Sequence, residues 1–264
     1  MIVHLIFSSS ISSLLYFYLH KKTRISLHYL YKDNLLVILM GSILSFGIER
    51  IIPARVFFVS YLFDPTFVVC FAFCLTMIRF WHTPKRKIIA SNNDIVSPVD
   101  GNVIYINLIE VGGIPISIKG KRFSKLEELV KTDLLNNSCW LMGVNMTPFD
   151  NHKNCAPIDG KIILNQHFKG KFLSLKDKDA LLENERNTYV IQGNNIKIGI
   201  VQIASRMVRR IDSYVKEGDM VKRGDWLGMI RFGSQVDIIL PKECNIKVKI
   251  GQQIYAGKTI FASQ

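Results

Sequence analysis

The chain has 264 residues, enough for one catalytic domain and an N-terminal appendage, and it combines 48% hydrophobic residues with a formal net charge of +13. That charge comes without zinc-finger spacing, a helix-turn-helix signal or an aromatic RNA-binding motif, so nucleic acid gives way to anionic membrane lipids as the partner. The five cysteines (Cys70, Cys74, Cys139, Cys155, Cys244) form no CxxC pair and no metal-ligand cluster, which argues for reduced thiols and against a disulfide framework or a bound metal.

Residues 1–34 form an N-terminal extension, aromatic and Ser-rich, with the basic run Lys21, Lys22, Arg24 after its apolar stretch. A secretory signal has the opposite order, so a third membrane-associated segment or an extension from a misassigned start fits better. Residues 35–81 read as a membrane-anchoring helical hairpin. Leu35–Ile48 is uncharged and apolar, and Val56–Trp81 is longer but interrupted by Asp64-Pro65. A span needs roughly 20 apolar residues, which leaves both a crossing hairpin and an interfacial, re-entrant anchor open. Neither run shows a polar face, which argues against a buried helical pair in a soluble domain. Lys and Arg flank the pair on both outer sides (Lys21, Lys22, Arg24; Lys85, Arg86, Lys87), which puts both ends at the cytoplasmic face of the cell membrane.

Residues 82–264 have the texture of a folded domain behind a polar linker, His82–Asn93. Strands are predicted at Asn102–Ile109, Ile114–Ile118, Trp140–Asn145, Gly160–Leu164, Tyr189–Ile191, Ile196–Ala204, Gln235–Leu240 and Ile246–Ile250. Helices are predicted at Ser124–Leu135 and Ser174–Asn184. The fold class is therefore α+β and β-rich, a sandwich or partly closed barrel. The stretches Val96–Val103 and Val215–Gly228 each place a Gly-containing turn between strands, like the hammerhead elements of biotinyl and lipoyl carriers. No hairpin lysine suitable for modification lies near Asp100, so the pattern supports the sheet and not a swinging arm.

Three elements carry candidate chemistry: Ser97-Pro-Val-Asp100-Gly101, Asn145-Met-Thr-Pro-Phe-Asp150-Asn-His152-Lys-Asn-Cys155-Ala-Pro157, and Phe232-Gly233-Ser234-Gln-Val-Asp237. Each alone is ordinary; Ser-Pro-x-Asp-Gly is a common turn. In this order, with Arg79-Phe-Trp-His-Thr-Pro84, with Gln202-Ile-Ala-Ser-Arg-Met-Val-Arg-Arg-Ile211 and with Gly218-Asp-x-Val-x-x-Gly-Asp-x-Leu-Gly-Met-Ile-Arg-Phe-Gly-Ser234, the chain resembles the short bacterial and archaeal form of the phosphatidylserine decarboxylase family.

The resemblance implies self-cleavage between Gly233 and Ser234. The Ser234 hydroxyl attacks the preceding carbonyl, and the resulting ester eliminates to leave a pyruvoyl group on the new N-terminus. Asp100 and His152 are the expected activators of that weak nucleophile. The large chain (1–233) and small chain (234–264) then stay together. The pyruvoyl carbonyl forms a Schiff base with phosphatidylserine and acts as the electron sink, without metal or pyridoxal phosphate, to give phosphatidylethanolamine. His152 is also the expected proton donor in turnover. Cys155 stands where the short form usually has Arg, so the division of labour around His152 stays open. Arg206, Arg209, Arg210 and Arg231 are candidates for the substrate phosphate, or for a solvated basic edge. Alternatives are a decarboxylase of another serine-linked lipid such as archaetidylserine, and a non-enzymatic, membrane-anchored carrier-like adaptor. The oligomeric state, a homo-oligomer included, is open.

Overall fold

The computed structural model describes residues 1–23, 25, 27–51, 57–111, 113, 116–119, 122–125, 136–169, 185–204, 210–231 and 235–264. They form two compact units, Met1–Phe80 and Trp81–Gln264.

The first unit consists of helices α1 (Ile2–Thr23), α2 (Leu27–Ile51) and α3 (Phe57–Trp81). Three segments, Ile2–Thr23, Leu30–Ile51 and Leu62–Trp81, are long and apolar enough to cross a membrane. The N-terminal extension thus contributes a third span-length helix to the expected hairpin. Polar contacts set the helix directions. Ser12 Oγ donates to Asn34 Oδ1 at 2.6 Å and His4 Nε2 lies 2.9 Å from Glu49 Oε2, so α1 and α2 run antiparallel. Arg79 Nη2 donates to Asp33 Oδ1 at 2.6 Å, near the opposite end of the unit. Asp64, which interrupts the apolar pattern, is fully buried; its carboxylate accepts from Ser8 Oγ at 2.9 Å and meets His4 Nδ1 at 2.8 Å. Helix α3 continues through Pro65. An apolar solvent tolerates ionisable side chains where they face one another in this way.

The second unit is an antiparallel β structure among its described residues, and with the helices of the first unit it makes the chain α+β and β-rich. Strands β1 (Asp94–Val96), β2 (Gly101–Ile109), β3 (Ile116–Lys119), β4 (Arg122–Lys125), β5 (Cys139–Asn145), β6 (Lys153–Cys155), β7 (Gly160–Phe168) and β8 (Arg186–Gln192) come first. They are followed by β9 (Lys197–Ile203), β10 (Ile211–Ser213), β11 (Met220–Val221), β12 (Trp226–Ile230), β13 (Gln235–Pro241), β14 (Asn245–Ile246), β15 (Gln253–Ile254) and β16 (Ile260–Ser263). Eight of them form a curled sheet in the order β11-β7-β8-β9-β13-β5-β2-β15. Period-2 alternation sends Val236, Ile238 and Leu240 of β13 into the main core with Val103, Met142, Val144, Ile191, Ile198 and Ile200. Ile239 enters a second cluster with Tyr105, Leu141, Val190 and Val201, so both faces of the sheet are covered.

Most of the predicted strands coincide with observed ones. Two expectations differ. Ser124 and Lys125, read as the start of a helix, belong to β4, whose Phe123 pairs with Ile118 of β3; residues 126–135 of that helix, and all of Ser174–Asn184, lie outside the described residues. The strand expected over Ile246–Ile250 pairs only at Asn245–Ile246 before the chain turns at Lys249–Gln252, with Gly251 at φ 85°.

The register places the site. Asn102 of β2 pairs with Asn145 of β5, Asn145 with Gln235 of β13, and Gln235 with Ile203 of β9. The start of β2, the end of β5, the start of β13 and the end of β9 therefore share one edge of the sheet. Gly101 opens β2 at φ 152°, and a Cβ there would come within 2.5 Å of the Asn145 carbonyl oxygen. Only glycine allows β2 to start that close to β5.

Candidate active site

The shared sheet edge carries Asp100, immediately before β2, and the Met146–His152 loop, immediately after β5. It also carries Gln235, the start of β13; Phe232, Gly233 and Ser234, in the β12–β13 connection, lie outside the described residues. The ends of that connection are fixed: Ile230 N donates to the His152 carbonyl at 3.1 Å, and Gln235 starts β13 beside Asn145. Only four residues separate Ile230, bonded to the His152 carbonyl, from Gln235.

The loop is held by its own polar groups. Asp150 Oδ2 accepts from the backbone N–H and the hydroxyl of Thr147, each at 2.8 Å, and Oδ1 accepts from Gln253 Nε2 at 2.8 Å. Burial, aided by the charge of Asp100, pushes the Asp150 carboxyl up to about 6 despite those bonds. His152 is fully buried, and its Nδ1 lies 3.0 Å from the Asp150 carbonyl oxygen. A carbonyl can only accept, so Nδ1 carries the proton and Nε2 presents the lone pair. Burial pushes the imidazole down to about 4, against the pull of that hydrogen bond. At neutral pH the ring is an uncharged base in a fixed tautomer.

Asp100 is held separately. Arg86 Nη1 and Nη2 donate to its two carboxylate oxygens at 2.5 and 2.6 Å, and Ala256 N donates to Oδ1 at 2.7 Å. Asp237 is buried in β13 and accepts from Gln235 Nε2 at 2.8 Å, while the same amide lies 3.3 Å from the Tyr105 hydroxyl. Cys155 is buried, its thiol pushed up to about 12 by burial first and then by the charge of Asp100, and it donates to the Ser97 carbonyl. Such a thiol is inert as an acid or base near neutrality. Arg210 and Arg231 both turn Nε to Asp212, at 3.0 and 2.7 Å. Partial burial opposes the charge on Asp212, but these two bonds outweigh it and hold the carboxyl below the usual range. Arg206 and Arg209 lie outside the described residues.

Among the candidates, then, Asp100, His152 and the two ends of the 232–234 connection meet at one sheet edge. Arg86, Asp150 and Gln253 also belong there, and the sequence reading had not singled them out for the site. By sequence Arg86 is one of three basic residues flanking the helices, and only the fold shows that it is spent on Asp100.

A family model for phosphatidylserine decarboxylase matches residues 73–262. The chain belongs to the phosphatidylserine decarboxylase family. Among its relatives, a candidate archaetidylserine decarboxylase proenzyme of Methanocaldococcus jannaschii is 37% identical over 71% of this chain and 89% of its own length. The phosphatidylserine decarboxylase proenzyme of Geotalea uraniireducens is 35% identical over 71% of this chain and 78% of its own. That of Citrifermentans bemidjiense is 33% identical over 86% of this chain and 88% of its own. The last match, 229 residues long, necessarily takes in α3 and most of α2. Similarity to this decarboxylase family thus extends beyond the sheet unit into the apolar helices.

Proposed function

We propose that the chain is a self-cleaving, pyruvoyl-dependent decarboxylase that converts phosphatidylserine to phosphatidylethanolamine. The observation that carries this reading is the buried, neutral His152, with Nε2 as its basic nitrogen and its carbonyl tied to the strand that leads into Gly233–Ser234.

In the self-cleavage, the Ser234 hydroxyl adds to the Gly233 carbonyl while His152 Nε2 takes the hydroxyl proton and returns it to the departing amide nitrogen. Asp100, held by Arg86, is assigned as the second residue of that activation. The resulting ester loses Gly233 as a carboxylate by elimination. Water then releases the Ser234 nitrogen as ammonia and leaves a pyruvoyl terminus. Two observations support that group: the imidazole of His152 is neutral, and the strands of the new small chain are locked into the fold. Strand β13 lies between β9 and β5, β15 pairs with β2, and β16 with β1. The pyruvoyl carbonyl supplies an electron sink for the carbon dioxide leaving an amine-bearing substrate. His152 is the group we assign to return a proton to the substrate carbon. Arg210, with its side chain 64% exposed, together with Arg206, Arg209 and Arg231, supplies donors for the lipid phosphate. The basic residues flanking the apolar helices support a domain at the cytoplasmic face; on that reading three spans would put Met1 on the opposite side.

The mass of the C-terminal fragment tests the reading. A pyruvoyl-capped 234–264 chain, blocked to Edman sequencing, is expected, and Ser234→Ala abolishes both cleavage and decarboxylation. An active preparation consisting of one intact chain would sink it, and an intact chain with no decarboxylase activity would favour the carrier-like adaptor. The names of the relatives keep archaetidylserine in view as a second substrate, since it presents the same serine head group. Turnover of defined diacyl- and dialkyl-serine lipids separates the two.

A further inference from the structure

The segment that leaves α3 touches the sheet unit at three points, each beside one of the chemistry-bearing elements. The Trp81 ring lies 5.6 Å from the Arg231 guanidinium, two residues before Gly233. The Thr83 hydroxyl accepts a hydrogen bond from Lys153, the residue after His152. Arg86 closes a two-toothed ion pair on Asp100. The same guanidinium donates to the Ala256 carbonyl at 2.9 Å and stands 5.8 Å from the Tyr255 ring. One side chain therefore joins the exit strap, Asp100 of the large chain, and a segment of the small chain.

We propose that Arg86 is a positioning residue for self-cleavage, holding the Asp100 carboxylate in one orientation through its planar fork. The proposal rests on the reading of Asp100 as part of the cleavage machinery. The physical case is direct. Asp100 is only 2% exposed, and a buried carboxylate that loses its cation is left with an uncompensated charge. A planar fork fixes both carboxylate oxygens at once, and an ammonium group cannot do so. The Ala256 N–H adds a third bond, so carboxylate rotation is blocked from two sides. Beside the pair lies a cleft of about 310 Å³ lined by Thr83, Arg86, Ile88, Cys155, Trp226 and Gly257. The cleft is roomy enough to admit a small guanidinium ion once the Arg86 side chain is cut back.

The test follows the rate at which freshly synthesised full-length protein, in detergent or lipid vesicles, separates into its two chains. Arg86→Ala is expected to slow cleavage by about 100-fold, and guanidinium chloride at millimolar concentration to restore at least about tenfold of that loss, whereas methylammonium chloride does not. Arg86→Lys keeps the charge but not the fork, so it should cleave about tenfold slower than wild type at an unchanged melting midpoint. It decides the matter if the alanine variant does not fold. Cleavage of Arg86→Lys at the wild-type rate, or equal rescue of Arg86→Ala by both cations, would overturn the positioning role. These failures are distinct from that of the decarboxylase reading itself, which would show as a wild-type chain that never cleaves.

Discussion

The two units bury charge in different ways. In the helical unit, ionisable and hydroxyl side chains are spread along the bundle and used as links between helices: His4 with Glu49 and Asp64, Ser8 with Asp64, Asp33 with Arg79. In the sheet unit the core is apolar on both faces, and the buried Asp100, Asp150, His152 and Asp237 lie at or near one edge. Dispersed pairs suit an apolar solvent, where each polar group must find a partner on a neighbouring helix. A concentrated set suits chemistry, because burial moves the ionisation of neighbouring groups, here Asp150 up and His152 down. The comparison predicts that mutations in the first unit register as stability and mutations at the sheet edge as rate.

The largest effect should come from His152→Ala, which removes the basic nitrogen. Its cleavage rate should fall about 10²–10⁴-fold, the usual worth of a positioned general base. On the proposed role of His152, the unprotonated ring does the work in the wild type. With the imidazole at about 4, the cleavage rate should hold from neutrality down to about pH 4 and fall only below it. An acid limb centred near 6.5 would mean that burial does not set the ring's basicity. Stability carries a second signature. The lowered His152 pKa costs stability as pH falls from 6.5 to about 4, while the raised Asp150 pKa costs stability as pH rises from 3.8 to about 6. The windows overlap with opposite sign. His152→Ala should therefore unmask a decline in stability as pH rises through about 4 to 6, readable by chemical denaturation.

A middle-sized effect belongs to the helical unit. Asp64→Ala breaks two hydrogen bonds to α1 and should cost about 1 kcal/mol, the scale measured for interhelical polar contacts in membranes. Thermal unfolding in detergent would show the loss, while the cleavage rate of folded protein should change less than about threefold. A cleavage rate that fell with Asp64 would erase the distinction between the two units.

What the sequence disclosed follows the same division. Strands such as Gln235–Leu240 were legible because β-branched runs with period-2 alternation mark a sheet directly, and the apolar helices because their length does. Asp64-Pro65 looked like a break, since its resolution lies in Ser8 and His4, remote in sequence. The Ile246–Ile250 strand failed because Gly251 and the Lys249–Gln252 turn end a ladder that the Val and Ile pattern alone would continue. At the site, Asp100 and His152 stood in recognisable motifs. The tautomer of His152, set by a backbone carbonyl, and the attachment of Arg86 to Asp100 depend on chain crossings that no local pattern encodes.

The smallest effect sharpens the comparison most, because it concerns the residue where the sequence departs from the short form's usual Arg. Cys155 is buried beside Arg86 and Asp100, with a thiol pushed up to about 12 that donates to the Ser97 carbonyl. Neither the thiolate nor a proton shuttle is available from it near pH 7, so its contribution is packing. Cys155→Ala should lower stability by about 1 kcal/mol through the lost sulfur contacts, with the cleavage rate unchanged within about threefold. A drop of about 100-fold in a folded variant would make Cys155 a participant, and the neutral imidazole of His152 would no longer suffice as the sole proton carrier at the sheet edge.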